Sequence, residues 1–165
     1  MLKLLRQQIF RHSAHGDAIV CPWSCSFACR TIRFAELSLS GAKEMRTATC
    51  SCGQLSVKCA GEPTSVSQCH CLACQRRTGS TYGIAAFFPR AAVNVSGADK
   101  TFTRQSDSGY QIVFHFCPEC GSSVYWEPRR KPEVFAVAAG AFADPTFPAP
   151  TKEVYVEHRH YWVQC

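Results

Sequence analysis

Apolar and polar residues alternate along much of this chain with the period of a strand, and one short stretch carries a helical period. Tyr110–Phe116 (YQIVFHF) alternates most strongly, Gln54–Cys59 does so too, and Ser123–Glu127 follows closely on the first run. Tyr82–Phe88 is an apolar run that stops at Pro89. Ala92–Val95, Thr101–Arg104, Val134–Ala139 and Glu153–His158 complete the strand candidates. Gly, Pro, Asn, Asp and Ser punctuate the gaps, as turn residues do. Leu72–Gly79 reads as a helix of about two turns. Many short strands separated by turns predict a mainly β fold of antiparallel sheets, not a β-α-β winding.

That pattern begins at Arg46. Residues 1–44 differ: Met1–Arg11 reads as a short amphipathic segment, and Cys21, Cys25 and Cys29 follow at four-residue spacing around Pro22. Such spacing matches no common zinc pattern, so the three are read as incidental. The expectation is a poorly ordered N-terminal extension over 1–44, with Met45 a candidate natural start, and one domain over 45–165. With 165 residues, 46% apolar and 18% charged, the chain has the composition of a single soluble domain with its own core. It contains no run of roughly 18 apolar residues that would span a bilayer. The start lacks the apolar core of a signal peptide.

The net charge of +6 invites a nucleic-acid reading. The charge divides evenly between residues 1–44 and the rest, and the basic residues form no stripe. Two Zn²⁺ held by seven thiolates would add about −3, leaving residues 45–165 near neutral. Neither nucleic acid nor membrane is therefore expected as a partner.

Cysteine then changes the picture. Seven of the twelve cysteines fall in three tight groups: Cys50-Ser-Cys52, Cys69-His-Cys71-Leu-Ala-Cys74 and Cys117-Pro-Glu-Cys120-Gly. Pairs this close suit metal ligation better than disulfide cross-linking, which points to a reducing, cytoplasmic setting. Cys117 and Cys120 lie between two strand candidates, at a hairpin tip where Pro118 presets a turn and Gly121 permits a left-handed residue. A redox Cys-x-x-Cys would want a strand-to-helix context instead. On an extended strand Cys50 and Cys52 face one way, so Cys50, Cys52, Cys117 and Cys120 make a closed four-thiolate zinc site.

Cys69, Cys71 and Cys74 then form a second site with three protein donors, the pattern of a catalytic zinc whose remaining position takes water or a substrate thiol. His70 should point away from them and serve as a surface or hydrogen-bonding residue. Cys59, at the end of an alternating strand, reads as a small buried residue. Cys50, Cys52, Cys69 and Cys71 sharing one ion is the other pairing, and the local grouping of Cys69, Cys71 and Cys74 favours the first.

Taken in order, Cys-x-Cys-Gly, Cys-His-Cys-x-x-Cys-Gln-Arg-Arg-Thr-Gly and Phe-Cys-Pro-Glu-Cys-Gly-Ser-Ser-Val resemble the glutathione-dependent formaldehyde-activating enzyme family, which includes centromere protein V. Ala139-Gly140, Asp144-Pro145, Tyr155-Val156-Glu157 and Trp162-Val163 extend the resemblance over about residues 46–163. It implies a β-tent of short antiparallel sheets, with a structural zinc on Cys50, Cys52, Cys117 and Cys120. It implies a catalytic zinc on Cys69, Cys71 and Cys74. The reaction it implies joins glutathione and formaldehyde into S-hydroxymethylglutathione and is classed with carbon–sulfur lyases.

Glutathione carries two carboxylates, so Arg76 and Arg77, just after the second cysteine group, are the candidate substrate-binding residues. Arg129, Arg130 and Lys131 read as a solvated turn. A zinc-stabilised binding module without catalysis is the alternative function. A methionine sulfoxide reductase of the zinc-bearing type would need further catalytic cysteines, for which only the terminal Cys165 is at hand.

Overall fold

The computed structural model describes residues 44–163. The expectations for Met1–Arg11, for Cys21, Cys25 and Cys29, and for Cys165 lie outside the described residues. Ten strands and one α-helix follow in order: β1 (Met45–Thr49), β2 (Ser56–Ala60), β3 (Ser65–Cys69), α1 (Leu72–Thr78), β4 (Gly83–Pro89), β5 (Val93–Ser96), β6 (Lys100–Gln105), β7 (Gln111–Phe116), β8 (Ser123–Pro128), β9 (Val134–Ala138) and β10 (Lys152–Val154). β1, β2 and β5 form a three-stranded sheet, and the others form a seven-stranded sheet in the order β10-β3-β4-β9-β8-β7-β6. Every pairing is antiparallel except that of β10 with β3. The mainly β, antiparallel expectation is met.

Alternation gives the large sheet two different faces. Ala86 and Phe88 of β4 join Phe135 and Val137 of β9 in a core that also takes Leu55, Val57 and Cys59 from the small sheet side. Fully burying a side chain such as Phe88, at 0% exposure, is worth about 1.5–3 kcal/mol. The intervening residues Ala85, Phe114, Trp126 and Ala136 form a smaller cluster. Cys50 and Cys117 belong to the first core, whereas Ala85, Phe114 and Trp126 floor the pocket of Cys69, Cys71 and Cys74. The two cysteine groups thus belong to different faces of the sheet.

Three local expectations are corrected. Glu153–His158 is not one strand: β10 ends at Val154, Tyr155 takes a left-handed backbone (φ 58°), and Val156–His158 is a 3-10 turn. Cys50 and Cys52 do not sit on a strand. The chain turns there, with the Gly53 N–H donating to the Cys50 carbonyl at 3.0 Å, and the turn brings the sulfurs together. His70 is fully buried, so of its two expected roles the surface one falls and the hydrogen-bonding one stands. Two strands also lacked an apolar signature. In β1 only Ala48 is buried, and in β3 only Val66, so most of their side chains are polar or small.

Candidate metal centres

In the first centre, Cys50 and Cys52 come from the turn after β1. Cys117 and Cys120 come from the β7–β8 connection, where the Gly121 N–H donates to the Cys117 carbonyl at 2.9 Å and Gly121 adopts φ 72°. That conformation is accessible to glycine at no steric cost. All four sulfurs lie within 4.8 Å of one another, with Cys50 to Cys52 at 3.4 Å and Cys52 to Cys117 at 3.6 Å. Sulfurs about 2.3 Å from a tetrahedral zinc stand about 3.8 Å apart, so this donor set fits zinc in both chemistry and spacing.

The two turns are also tied directly, Ser51 Oγ to Ser122 Oγ at 2.9 Å. The Leu55 N–H donates to Cys50 Sγ at 3.2 Å. The Ser122 hydroxyl and N–H pull Cys120 down to about 5. Cys52 receives a stabilising contact from the Gln54 N–H, yet the neighbouring Cys50 and Cys117 sulfurs push it up to about 12.

The second centre is compact in sequence. Cys69 ends β3, Cys71 caps α1 with an extended backbone, and Cys74 lies in the first turn of that helix. The Cys74 N–H points at Cys71 Sγ, 3.4 Å away. The three sulfurs lie within 4.8 Å of one another and fit the protein side of a three-thiolate zinc site. Cys74 is lowered to about 5, first by hydrogen bonding with Cys69, then, against the cost of burial, by Cys71 and Arg77. Cys69 is pushed up by the same contact with Cys74 and by burial. Cys59 shows what burial does alone: it is raised to about 11.

His70 faces away from these sulfurs. Its Nε2 lies 3.3 Å from the Gln68 amide nitrogen and 3.8 Å from Glu153, and its ring meets Tyr82 edge-on. Its main chain locks the site, because the His70 N–H donates to the Val154 carbonyl at 3.0 Å and its carbonyl accepts from Gln75 Nε2 at 2.8 Å.

The three cysteines line a cavity of about 170 Å³ walled by Phe87, Ile112, Phe114 and Trp126, with Arg104, Asp107 and Tyr155 also on its lining. A second, largely apolar groove of about 400 Å³ shares Arg104 and Phe114 with it and is flanked by Arg76 and Arg77. Both are built from one face of the sheet: in the β6–β7 register Phe102 stands opposite Phe114 and Arg104 opposite Ile112.

Arg77 lies over Trp126 at 4.5 Å and Phe114 at 5.4 Å, which holds its charge beside Cys74. Gly83 makes room for it, since a Cβ there would come within 2.9 Å of Arg77 Nη2 and 3.5 Å of Cys74 Cβ. Arg76 is exposed on the same helix. No carboxylate pairs with Arg76, Arg77 or Arg104 among the described residues. Arg129 pairs instead with Glu127 at 3.7 Å, and Arg130 lies over Tyr110. Arg104 and Trp126 carry no local signal of their own, and Tyr155 stands out only through the family resemblance. The strong alternation of β7 was the available signal for that face, but it did not say what lay across from it.

The class defined by these features is a mainly β protein with two thiol clusters, one of four and one of three lining a small cavity, each able to hold a metal ion. Within it, residues 45–158 match the family model described as glutathione-dependent formaldehyde-activating enzyme, and the chain belongs to that family. No curated protein matches the sequence. Among solved structures the chain is similar to a Rhodobacter sphaeroides protein determined by crystallography in a structural genomics programme. The two are 22% identical with a TM-score of 0.48, over 65% of this chain and 98% of that one.

Proposed function

We propose that this chain is a zinc-dependent carbon–sulfur lyase that adds a glutathione-like thiol to formaldehyde and reverses that addition, in a reducing, cytoplasmic setting. The observation that carries this reading is the contrast in donor number. Cys50, Cys52, Cys117 and Cys120 complete a set of four, while Cys69, Cys71 and Cys74 supply three and face a cavity. A zinc ion held by the three thiolates would offer a remaining position to the substrate thiol and favour its thiolate form.

The chain's own residues do the rest. The cavity of about 170 Å³ is smaller than the roughly 300–1,000 Å³ that encloses a drug-sized ligand. It therefore admits the thiol end and a one-carbon carbonyl between walls of Phe87, Ile112, Phe114 and Trp126. The adjoining groove takes the remainder of the thiol, with Arg76, Arg77 and Arg104 available to its carboxylates. Among these, Arg77 doubles as a positive charge fixed beside Cys74.

The reading is tested by turnover of glutathione with formaldehyde, with and without a zinc chelator. A rate above spontaneous adduct formation that disappears on chelation is expected, and no such rate would sink the reaction. Cys69→Ser should abolish turnover while the protein stays folded.

A further inference from the structure

Addition of a thiolate to an aldehyde leaves negative charge on the former carbonyl oxygen, so the pocket needs a group that can hydrogen-bond to that oxygen and give it a proton. Apart from the cysteines, the side chains lining the cavity that carry a polar group are Ser67, Ser106, Arg104, Asp107, Trp126 and Tyr155. The indole N–H of Trp126 can donate a hydrogen bond but not give up its proton. An ionised carboxylate only accepts hydrogen bonds, and a guanidinium keeps its protons. An aliphatic hydroxyl is a far weaker acid than a phenol. Tyr155 remains.

Its placement is built into the fold. The parallel pairing of β10 with β3 sets Val154 opposite Cys69, so Tyr155 leaves the sheet immediately beyond a cluster cysteine. It does so with φ 58° and ψ 43°, one of two non-glycine residues with positive φ among the described residues. Left-handed backbone at a bulky residue is uncommon and gathers at functional sites. The His158 N–H closes the following turn on the Tyr155 carbonyl at 3.1 Å. Tyr155 is half-buried there and lines the cavity together with the three cysteines. Its hydroxyl is 3.5 Å from Ser108 Oγ in the β6–β7 turn, the outer limit of a hydrogen bond, which leaves its hydrogen available to a ligand.

We propose that the Tyr155 hydroxyl is the proton donor to the aldehyde oxygen in the addition, a role that rests on the thiol–aldehyde reading above. The sulfur lone pair forms the C–S bond as the C=O π pair moves onto oxygen. The phenolic proton passes to that oxygen, and the phenolate regains a proton from solvent. In the cleavage direction the phenolate takes the hydroxyl proton, the C=O bond re-forms and the thiolate leaves.

Two measurements on the zinc-loaded full chain test it in Tyr155→Phe. The first is steady-state turnover with glutathione and formaldehyde, with zinc content and melting temperature recorded alongside. A fall in kcat of about 100-fold, with KM for glutathione within about twofold and zinc content unchanged, is expected. The second is calorimetric affinity for S-methylglutathione against glutathione saturated with formaldehyde. The wild type should prefer the oxygen-bearing adduct, and the variant should lose about tenfold of that preference. Turnover within about twofold of wild type, an unchanged preference, or loss of zinc from the variant each overturns the role. A wild type with no turnover above the spontaneous reaction removes the thiol–aldehyde reading itself, and the role with it.

Discussion

The β7–β8 knuckle and the β3–α1 pocket both gather cysteines, four at the first and three at the second. At the knuckle the ligands come from two places 65 residues apart, Cys52 and Cys117, so a bound ion closes a long loop. At the pocket, Cys69, Cys71 and Cys74 fall within six residues, so little chain entropy is at stake. The first group packs into the main core through Cys50 and Cys117, while Cys50 and Cys120 also line an open cavity of about 800 Å³. The second faces an apolar recess beside an arginine-flanked groove. Donor number and loop length are the features on which the proposed reading separates a fastening from a working site.

The comparison breaks most readily by removing one sulfur from each. A structural zinc contributes about 10–16 kcal/mol in small domains, as much as the roughly 5–15 kcal/mol total stability of a typical one. Cys117→Ser should therefore leave the chain unfolded by circular dichroism. Cys71→Ser should keep the fold, because serine also caps a helix, and cost no more than about 2 kcal/mol. Its turnover should vanish. Equal loss of structure in the two variants would erase the distinction.

How far the sequence reached follows the same division. Strand alternation in β7 and the cysteine spacings were legible because each is a local pattern. β3 was not, because SVSQC buries one residue and has no apolar stripe. Cys50 and Cys52 meet as expected but through a turn, since both strand and turn geometries can converge two sulfurs. Arg76 and Arg77 were visible as neighbours of Cys74 in sequence. Arg104 and Tyr155 reach the pocket only through the β6–β7 and β3–β10 registers, which no local pattern encodes.

A second prediction sharpens the pocket side. Arg104→Met should raise KM for glutathione about tenfold, equivalent to about 1.4 kcal/mol, with kcat nearly unchanged and no change for an uncharged thiol. An effect on both thiols alike would make Arg104 part of the wall and not a carboxylate contact.

At neutral pH the smallest effect belongs to Cys59, a buried cysteine in neither cluster. Burial raises it to about 11, against about 8.5 in an unfolded chain. Between those values the unfolded state loses the proton that the folded state keeps. Stability therefore declines as pH rises, by about 1.4 kcal/mol per pH unit at most. Cys59→Val should remove this component from melting curves taken at about pH 8.5 to 11, while an unchanged slope would assign the decline elsewhere.

The most direct test of the whole account is zinc-edge X-ray absorption on the metal-loaded chain, before and after glutathione. Two zinc ions per chain with an average of about 3.5 sulfur neighbours, rising to about 4 when the thiol is added, are predicted. An average of four before glutathione, or no change after it, would contradict one closed site and one that receives the substrate thiol.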